Sequence, residues 1–185
     1  MSVSRRQFLG FTGLLGMSIA TPSAFASSAL AATAKPTGER RLQLRNLHTN
    51  EFVDTPYWID GEYQLDALQN LNHCLRDHRS GEVIDMDPVL IDNIYNLQSK
   101  VEHRGEIHII SGYRSPKTNA ALRKNGHGVA KKSLHMQGRA IDLRLPKQTL
   151  STVRKAALTM RSGGVGYYPK SNFLHLDTGR VRHWG

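Results

Sequence analysis

Polar and apolar residues alternate from Arg41 to His48, which predicts a strand, and Thr49-Asn50-Glu51 reads as a turn into a returning strand over Phe52–Tyr57. Pro56 places that pair at a sheet edge. Leu65, Leu68, Leu71 and Leu75 recur at helical spacing, so a helix is expected from about Gln64 to Arg79, closed by Gly81. A second helix is expected over Pro88–Glu102. Asp87 is its N-cap, Pro88 its first residue, and Leu90, Ile91, Ile94, Leu97 and Val101 its buried stripe. The β-branched run Ile107–Ile110 predicts a strand, and Pro116 opens a short helix to Lys124. Residues 124–132 are rich in Gly and Lys and read as an exposed basic loop that includes His127. A strand over Arg139–Leu145, a helix over Ser151–Met160, a break at Gly163-Gly164 and a last strand over Phe173–Asp177 complete the chain. Strands and helices mix without regular alternation. This predicts an α+β fold: a small, mostly antiparallel sheet flanked by helices.

The first residues change the picture of where the chain works. Arg5-Arg6 precedes an uncharged run from Gly10 to Ala34, the pattern of a twin-arginine export signal. Its apolar part, Phe8 to Ala20, is too short and too rich in glycine to span a bilayer stably, so no membrane insertion is expected after cleavage. Small-x-small sites place cleavage after Ala26 or Ala31. The expected organisation is a signal over residues 1–31, a disordered leader over 32–40, and one domain over 41–185. The net charge is +10, and loss of Arg5 and Arg6 with an acid-free segment leaves +8. Such a charge favours a polyanionic partner. In an exported protein an anionic wall polymer fits better than nucleic acid. Aromatic residues are only 7% and are not interleaved with the basic ones, so nucleic acid is not an expected partner. The single cysteine, Cys74, lies among helix leucines. It reads as a small buried apolar residue and excludes an intrachain disulfide. A monomer is expected.

Two segments carry chemistry: Ser133-Leu-His135-Met-Gln-Gly138-Arg-Ala140-Ile-Asp142, and Phe173-Leu-His175-Leu-Asp177. In a strand, Gly138, Ala140 and Asp142 share one face while Ile141 and Leu143 face the core. His135 enters from the preceding loop, over the space that Gly138 leaves. In the last strand His175 and Asp177 share a face. If the two strands are neighbours, His135, Asp142 and His175 meet at one point. Two nitrogens and a carboxylate oxygen suit Zn²⁺ with an open fourth position, and no Met or Cys points to a redox metal. Either fragment alone reads equally as a satisfied core pair.

Together with Ser111-Gly-Tyr-Arg114-Ser115, the pattern Ser133-x-His135-x-x-Gly138-x-Ala140-x-Asp142 resembles the zinc D-Ala-D-Ala carboxypeptidases, grouped with lysostaphin-type peptidases and hedgehog domains. From Arg41 to Trp184 the chain is similar to the murein endopeptidase K branch. Further likenesses are Asn46–Thr49, Gly128–Ser133, Met160–Pro169 and Arg182–Trp184. The resemblance implies a hedgehog-like fold, zinc ligands His135, Asp142 and His175, and periplasmic hydrolysis of peptidoglycan cross-links between diaminopimelate residues. Arg114 is then the second electrophile beside the oxyanion; a salt bridge or a grip on a substrate carboxylate are its other readings. The chain departs from its relatives at the general base. A Glu three residues before the last His is here Asn172, and a His two residues before it is here Phe173. Asp177 is the nearest carboxylate, as base or as the group orienting a zinc histidine. His183 is a weaker base. A zinc-stabilised module that binds peptidoglycan without cutting it, and a carboxypeptidase trimming terminal D-Ala, are the alternative functions.

Overall fold

The computed structural model describes residues 37–125 and 129–185, so the expected export signal and His127 lie outside the described residues. Strand β1 (Glu39–Asn46) turns its alternate residues Leu42, Leu44 and Asn46 inward and pairs antiparallel with β2 (Phe52–Ile59). It starts earlier than expected. Glu39 and Arg40, assigned to the leader, are in the strand because Arg40 ion-pairs with Asp92 at 2.8 Å and lies over the Trp58 ring. A two-residue strand, β3 (Glu62–Tyr63), closes this edge.

Helix α1 (Leu65–Cys74) ends well before Arg79. To continue, the Leu75 carbonyl would have to accept the Arg79 N–H. That N–H instead donates to Asp77 Oδ1, and the Leu75 carbonyl accepts from Tyr113 N–H at 2.7 Å. Leu65, one of the four leucines at helical spacing, is the first helical residue and 72% exposed. Helix α2 (Pro88–Lys100) starts as expected, with the Asp87 carboxylate accepting from Val89 N–H.

Strand β4 (Ile107–Ser111), helix α3 (Pro116–Lys124), a 3-10 turn (Leu134–Gln137), β5 (Ala140–Arg144) and α4 (Leu150–Met160) follow. Three more strands end the chain: β6 (Gly164–Tyr168), β7 (Phe173–Asp177) and β8 (Arg182–Trp184). The eight strands of the described residues form one sheet in the order β3-β2-β1-β4-β5-β7-β6-β8. The sheet is mixed rather than mostly antiparallel, because β1 runs parallel to β4, and β6 to β8. Residues 47–106, with α1 and α2, form the long crossover that the first parallel pair needs. The second strand of the other pair, β8, is only three residues long.

One core joins Leu71 of α1, Leu90, Ile94 and Leu97 of α2 and Val153 and Ala157 of α4 to the sheet residues Ile141, Leu143, Leu174 and Leu176. With a period of two, Asp142, His175 and Asp177 project from the opposite face. The β5–β7 pairing sets Asp142 directly across from His175, and Ala140 across from Asp177.

Candidate metal centre

His135 is held by the turn that precedes β5. Ser133 caps the turn, its hydroxyl accepting the His135 N–H at 3.3 Å. Gly138 ends it at φ 66, where a Cβ would stand 2.8 Å from the Asp85 carbonyl oxygen. Only glycine meets both conditions. The imidazole is buried at 3% exposure, and its Nδ1–H donates to the Gly112 carbonyl at 2.7 Å. That bond leaves Nε2 as the free lone pair, 3.3 Å from His175 Nδ1 and 3.4 Å from Asp142 Oδ1. His175 Nδ1 lies 2.8 Å from the same Asp142 oxygen. One donor atom from each of His135, Asp142 and His175 falls within 4.8 Å of the others. The expected convergence is present, and it follows from the register of β5 on β7.

The far nitrogen of His175, Nε2, meets Asp177 Oδ2 at 3.0 Å. Burial disfavours the imidazolium, but Asp142 and Asp177 outweigh it and raise the His175 pKa. Burial likewise opposes ionisation of Asp142, yet His135 and His175 hold its carboxyl well below the usual range. The two histidines therefore present one nitrogen each to a shared carboxylate, while their other nitrogens are tied to acceptors. This is how histidines are oriented toward a metal.

Asp177 was offered two roles, and its surroundings suit one of them. Its side chain is fully buried. Oδ1 accepts from Gly164 N–H, Gly179 N–H and Arg182, and Oδ2 from His175 and Arg182. Those five donors fill a carboxylate with about four lone-pair sites. Burial raises its pKa, but these bonds more than reverse that and keep it an anion. These bonds suit an orienting carboxylate, since a general base would need a lone pair open to water. His183 is no substitute. It pairs with Val165, whose side chain is in the core, and so faces the α4 side of the sheet.

The centre floors a cleft of about 380 Å³ whose walls include Arg114, Lys132, Tyr168, Phe173 and Trp184. Arg114 is 8% exposed and poorly satisfied. Its guanidinium reaches Asn119 and Ser111 only at 3.4 Å and Asp142 at 3.9 Å, and Nε has no hydrogen-bond partner among the described residues. Burial lowers its pKa, the Asp142 charge opposing. A guanidinium held this loosely has donors left for an anion. Phe173 stacks on Tyr168 at 4.5 Å and Asn172 sits in a turn at φ 51, so both positions serve the local fold here.

Strand β8 was not expected as a strand, and of its residues only His183 was weighed for the site. Arg182 binds Asp177, and Trp184 lies 5.2 Å from the His175 ring and donates to the Tyr168 hydroxyl at 2.9 Å. A signal for it was present in Gly164 and Gly166: a Cβ at either would meet Arg182 or Trp184 at 2.7 Å or less. The residues Gly112 and Gly138 carry a similar message on the other side of the centre.

A family model described as peptidoglycan L,D-endopeptidase MepK matches residues 33–184. The chain belongs to this family. A MepK of Escherichia coli (strain K12), named peptidoglycan L,D-endopeptidase, is 45% identical over 182 residues, 98% of this chain and 97% of that one. A Haemophilus influenzae protein named probable peptidoglycan L,D-endopeptidase MepK is 41% identical over 183 residues, 98% and 95% of the two chains. No solved structure matches, so the implied hedgehog-like fold finds no structural neighbour. The stretch matched by the MepK family contains Arg114, His135, Asp142, His175 and Asp177, the residues that the fold gathers at one cleft.

Proposed function

We propose that this chain is a zinc peptidase of the bacterial periplasm that hydrolyses peptide cross-links of peptidoglycan between L- and D-centres, those joining diaminopimelate residues. The observation that carries the reading is the His135–Asp142–His175 cluster, with each histidine's remote nitrogen already bonded to Gly112 or Asp177. The donor set fits zinc: two imidazole nitrogens, one carboxylate oxygen, and a cleft on the remaining side. When bound, zinc supplies Lewis acidity for the scissile carbonyl and a water whose pKa is lowered to about 7. The Gly112 carbonyl keeps His135 Nε2 directed at the centre. Asp177, held by Arg182, does the same for His175 Nδ1. Arg114 offers its unsatisfied N–H groups to the oxygen on which negative charge develops during attack. Loss of such a donor costs about 3–4 kcal/mol, on the order of 10²–10³ in kcat.

Arg5-Arg6 and the uncharged run behind it support twin-arginine export with cleavage after Ala26 or Ala31. No helix among the described residues is long and apolar enough to cross a membrane. The basic mature chain suits an anionic wall, on which it acts as a monomer.

Digestion of purified sacculi by the mature protein, with the released fragments identified by mass, tests this function. The reading expects monomers derived from cross-linked dimers, and a rate lowered on the order of 10²–10³ by Arg114→Ala. Release of free D-Ala alone would make the chain a carboxypeptidase. No release at all, with binding to sacculi retained, would make it a binding module.

A further inference from the structure

The segment that carries Arg114, Gly112 to Ser115, lies between β4 and α3, and only Ser115, the N-cap of α3, is bonded to the helix backbone. Four hydrogen bonds from elsewhere hold it, the first from His135 Nδ1–H to the Gly112 carbonyl at 2.7 Å. Arg114 N–H donates to the His135 carbonyl at 3.2 Å, Tyr113 N–H to the Leu75 carbonyl at 2.7 Å, and Ser115 N–H to Asp77 Oδ2 at 2.9 Å. Asp77 and His135 supply the side-chain anchors of the four, and Asp77 is the one outside the metal centre. Because the guanidinium's own contacts are long, its placement depends on this backbone.

Asp77 is built for that task. It lies in the α1–α2 connection, 38 positions before Ser115, is 1% exposed and does not line the cleft. Its Oδ1 accepts Arg79 N–H at 2.9 Å, its N–H donates to the Glu82 carbonyl, and its carbonyl accepts Gly81 N–H. The Thr118 hydroxyl, one turn into α3, also favours its charged form. Burial would raise its pKa, but the Thr118, Ser115 and Arg79 bonds outweigh burial and keep it ionised. An anion at the start of α3 is also favoured by the helix dipole. A buried carboxylate whose partners are Ser115, Thr118 and its own turn thus clamps the loop that aims Arg114.

The geometry points to Asp77 as a positioning residue for Arg114: through Ser115 and Thr118 it fixes the loop that directs the guanidinium into the cleft. This rests on the proposed part of Arg114 in hydrolysis. The test is steady-state hydrolysis of a purified cross-linked muropeptide dimer by zinc-loaded protein, for Asp77→Asn, Arg114→Ala and the double variant, with zinc per chain measured in each. Asp77→Asn keeps the size but places a donor against the Ser115 or Arg79 N–H. The expected result is a fall in kcat on the order of 10- to 100-fold, the loss that a misplaced catalytic group brings, with zinc content unchanged. In the Arg114→Ala background the same change lowers kcat by no more than about twofold.

If Asp77→Asn does not fold, Thr118→Val removes one tether of the carboxylate and is expected to act in the same direction, more weakly, with the same non-additivity. Losses that multiply in the double variant, or that track lost zinc, overturn the inference, since they mark a merely structural carboxylate. A kcat lowered by Arg114→Ala but by neither Asp77→Asn nor Thr118→Val overturns it alone. A kcat untouched by Arg114→Ala overturns the role of Arg114 as well.

Discussion

Gly112→Ala should loosen the metal centre without touching a metal-binding residue. A Cβ on Gly112 would lie 2.3 Å from the Leu75 carbonyl oxygen, about 0.7 Å inside the 3.0 Å below which such contacts essentially do not occur. The obstacle is backbone, itself bonded to Tyr113 N–H at 2.7 Å, so the strand end must move. The Gly112 carbonyl moves with it, and that oxygen holds His135 Nδ1 at 2.7 Å. A displacement of that size takes the bond beyond ordinary hydrogen-bond length. Overpacking costs about 1–3 kcal/mol of stability. Releasing a histidine from the acceptor that orients it typically weakens metal binding about 10- to 100-fold. Competition with a chromophoric chelator measures the zinc Kd, and thermal melting of the metal-free protein measures the packing cost. At about 2–4 °C per kcal/mol, the melting point should fall by about 2–12 °C. A variant with wild-type Kd and wild-type melting temperature would refute the reasoning, because the Leu75 contact and the His135 bond could not then be as described.

Asp177→Asn should weaken zinc about 10- to 100-fold and lower kcat, because the amide cannot match both Arg182 and His175; chelator competition and muropeptide kinetics check it, and wild-type values in both would speak for Asp177 as mere packing. His78 is a pH-dependent weak point. Burial, then the stacked His48 ring 3.8 Å away, lowers its pKa from 6.5 to about 4, with Arg79 adding to this and Asp77 opposing. The unfolded chain therefore takes up the proton first. The stability that neutral His78 contributes is whole above pH 6.5 and is lost as pH falls toward about 4. Urea midpoints at pH 7.5 and pH 5 should drop further in the wild type than in His78→Gln; equal drops would contradict the shift.

The chemistry of this chain was more legible than its topology. His135, Asp142 and His175 could be placed because strand alternation is local, Gly138 and Ala140 leave space on the Asp142 face, and β5 does pair with β7. The parallel pairings of β1 with β4 and β6 with β8 left no local trace. They depend on a crossover of some sixty residues and on a strand of three. Helix α1 stops at Cys74 because Tyr113, distant in sequence, claims the Leu75 carbonyl. No periodicity in the leucines records that. Asp177 could be read from sequence as the carboxylate nearest the expected zinc ligands, but its surroundings depend on Gly164, Gly179 and Arg182, which meet it only in the folded chain. Glycines that admit a carbonyl or an indole, Gly112 and Gly166 above all, were the sequence's clearest unread marks of close packing around the site.

The account rests on a metal held by His135, Asp142 and His175, and stoichiometric reconstitution tests that most directly. Chelator-stripped protein is titrated with zinc while muropeptide cleavage is followed. The account predicts no cleavage without metal, a rise that saturates at about one equivalent per chain, and no rise with His135→Ala. Full cleavage by the metal-free protein, or wild-type reconstitution of His135→Ala, would contradict it.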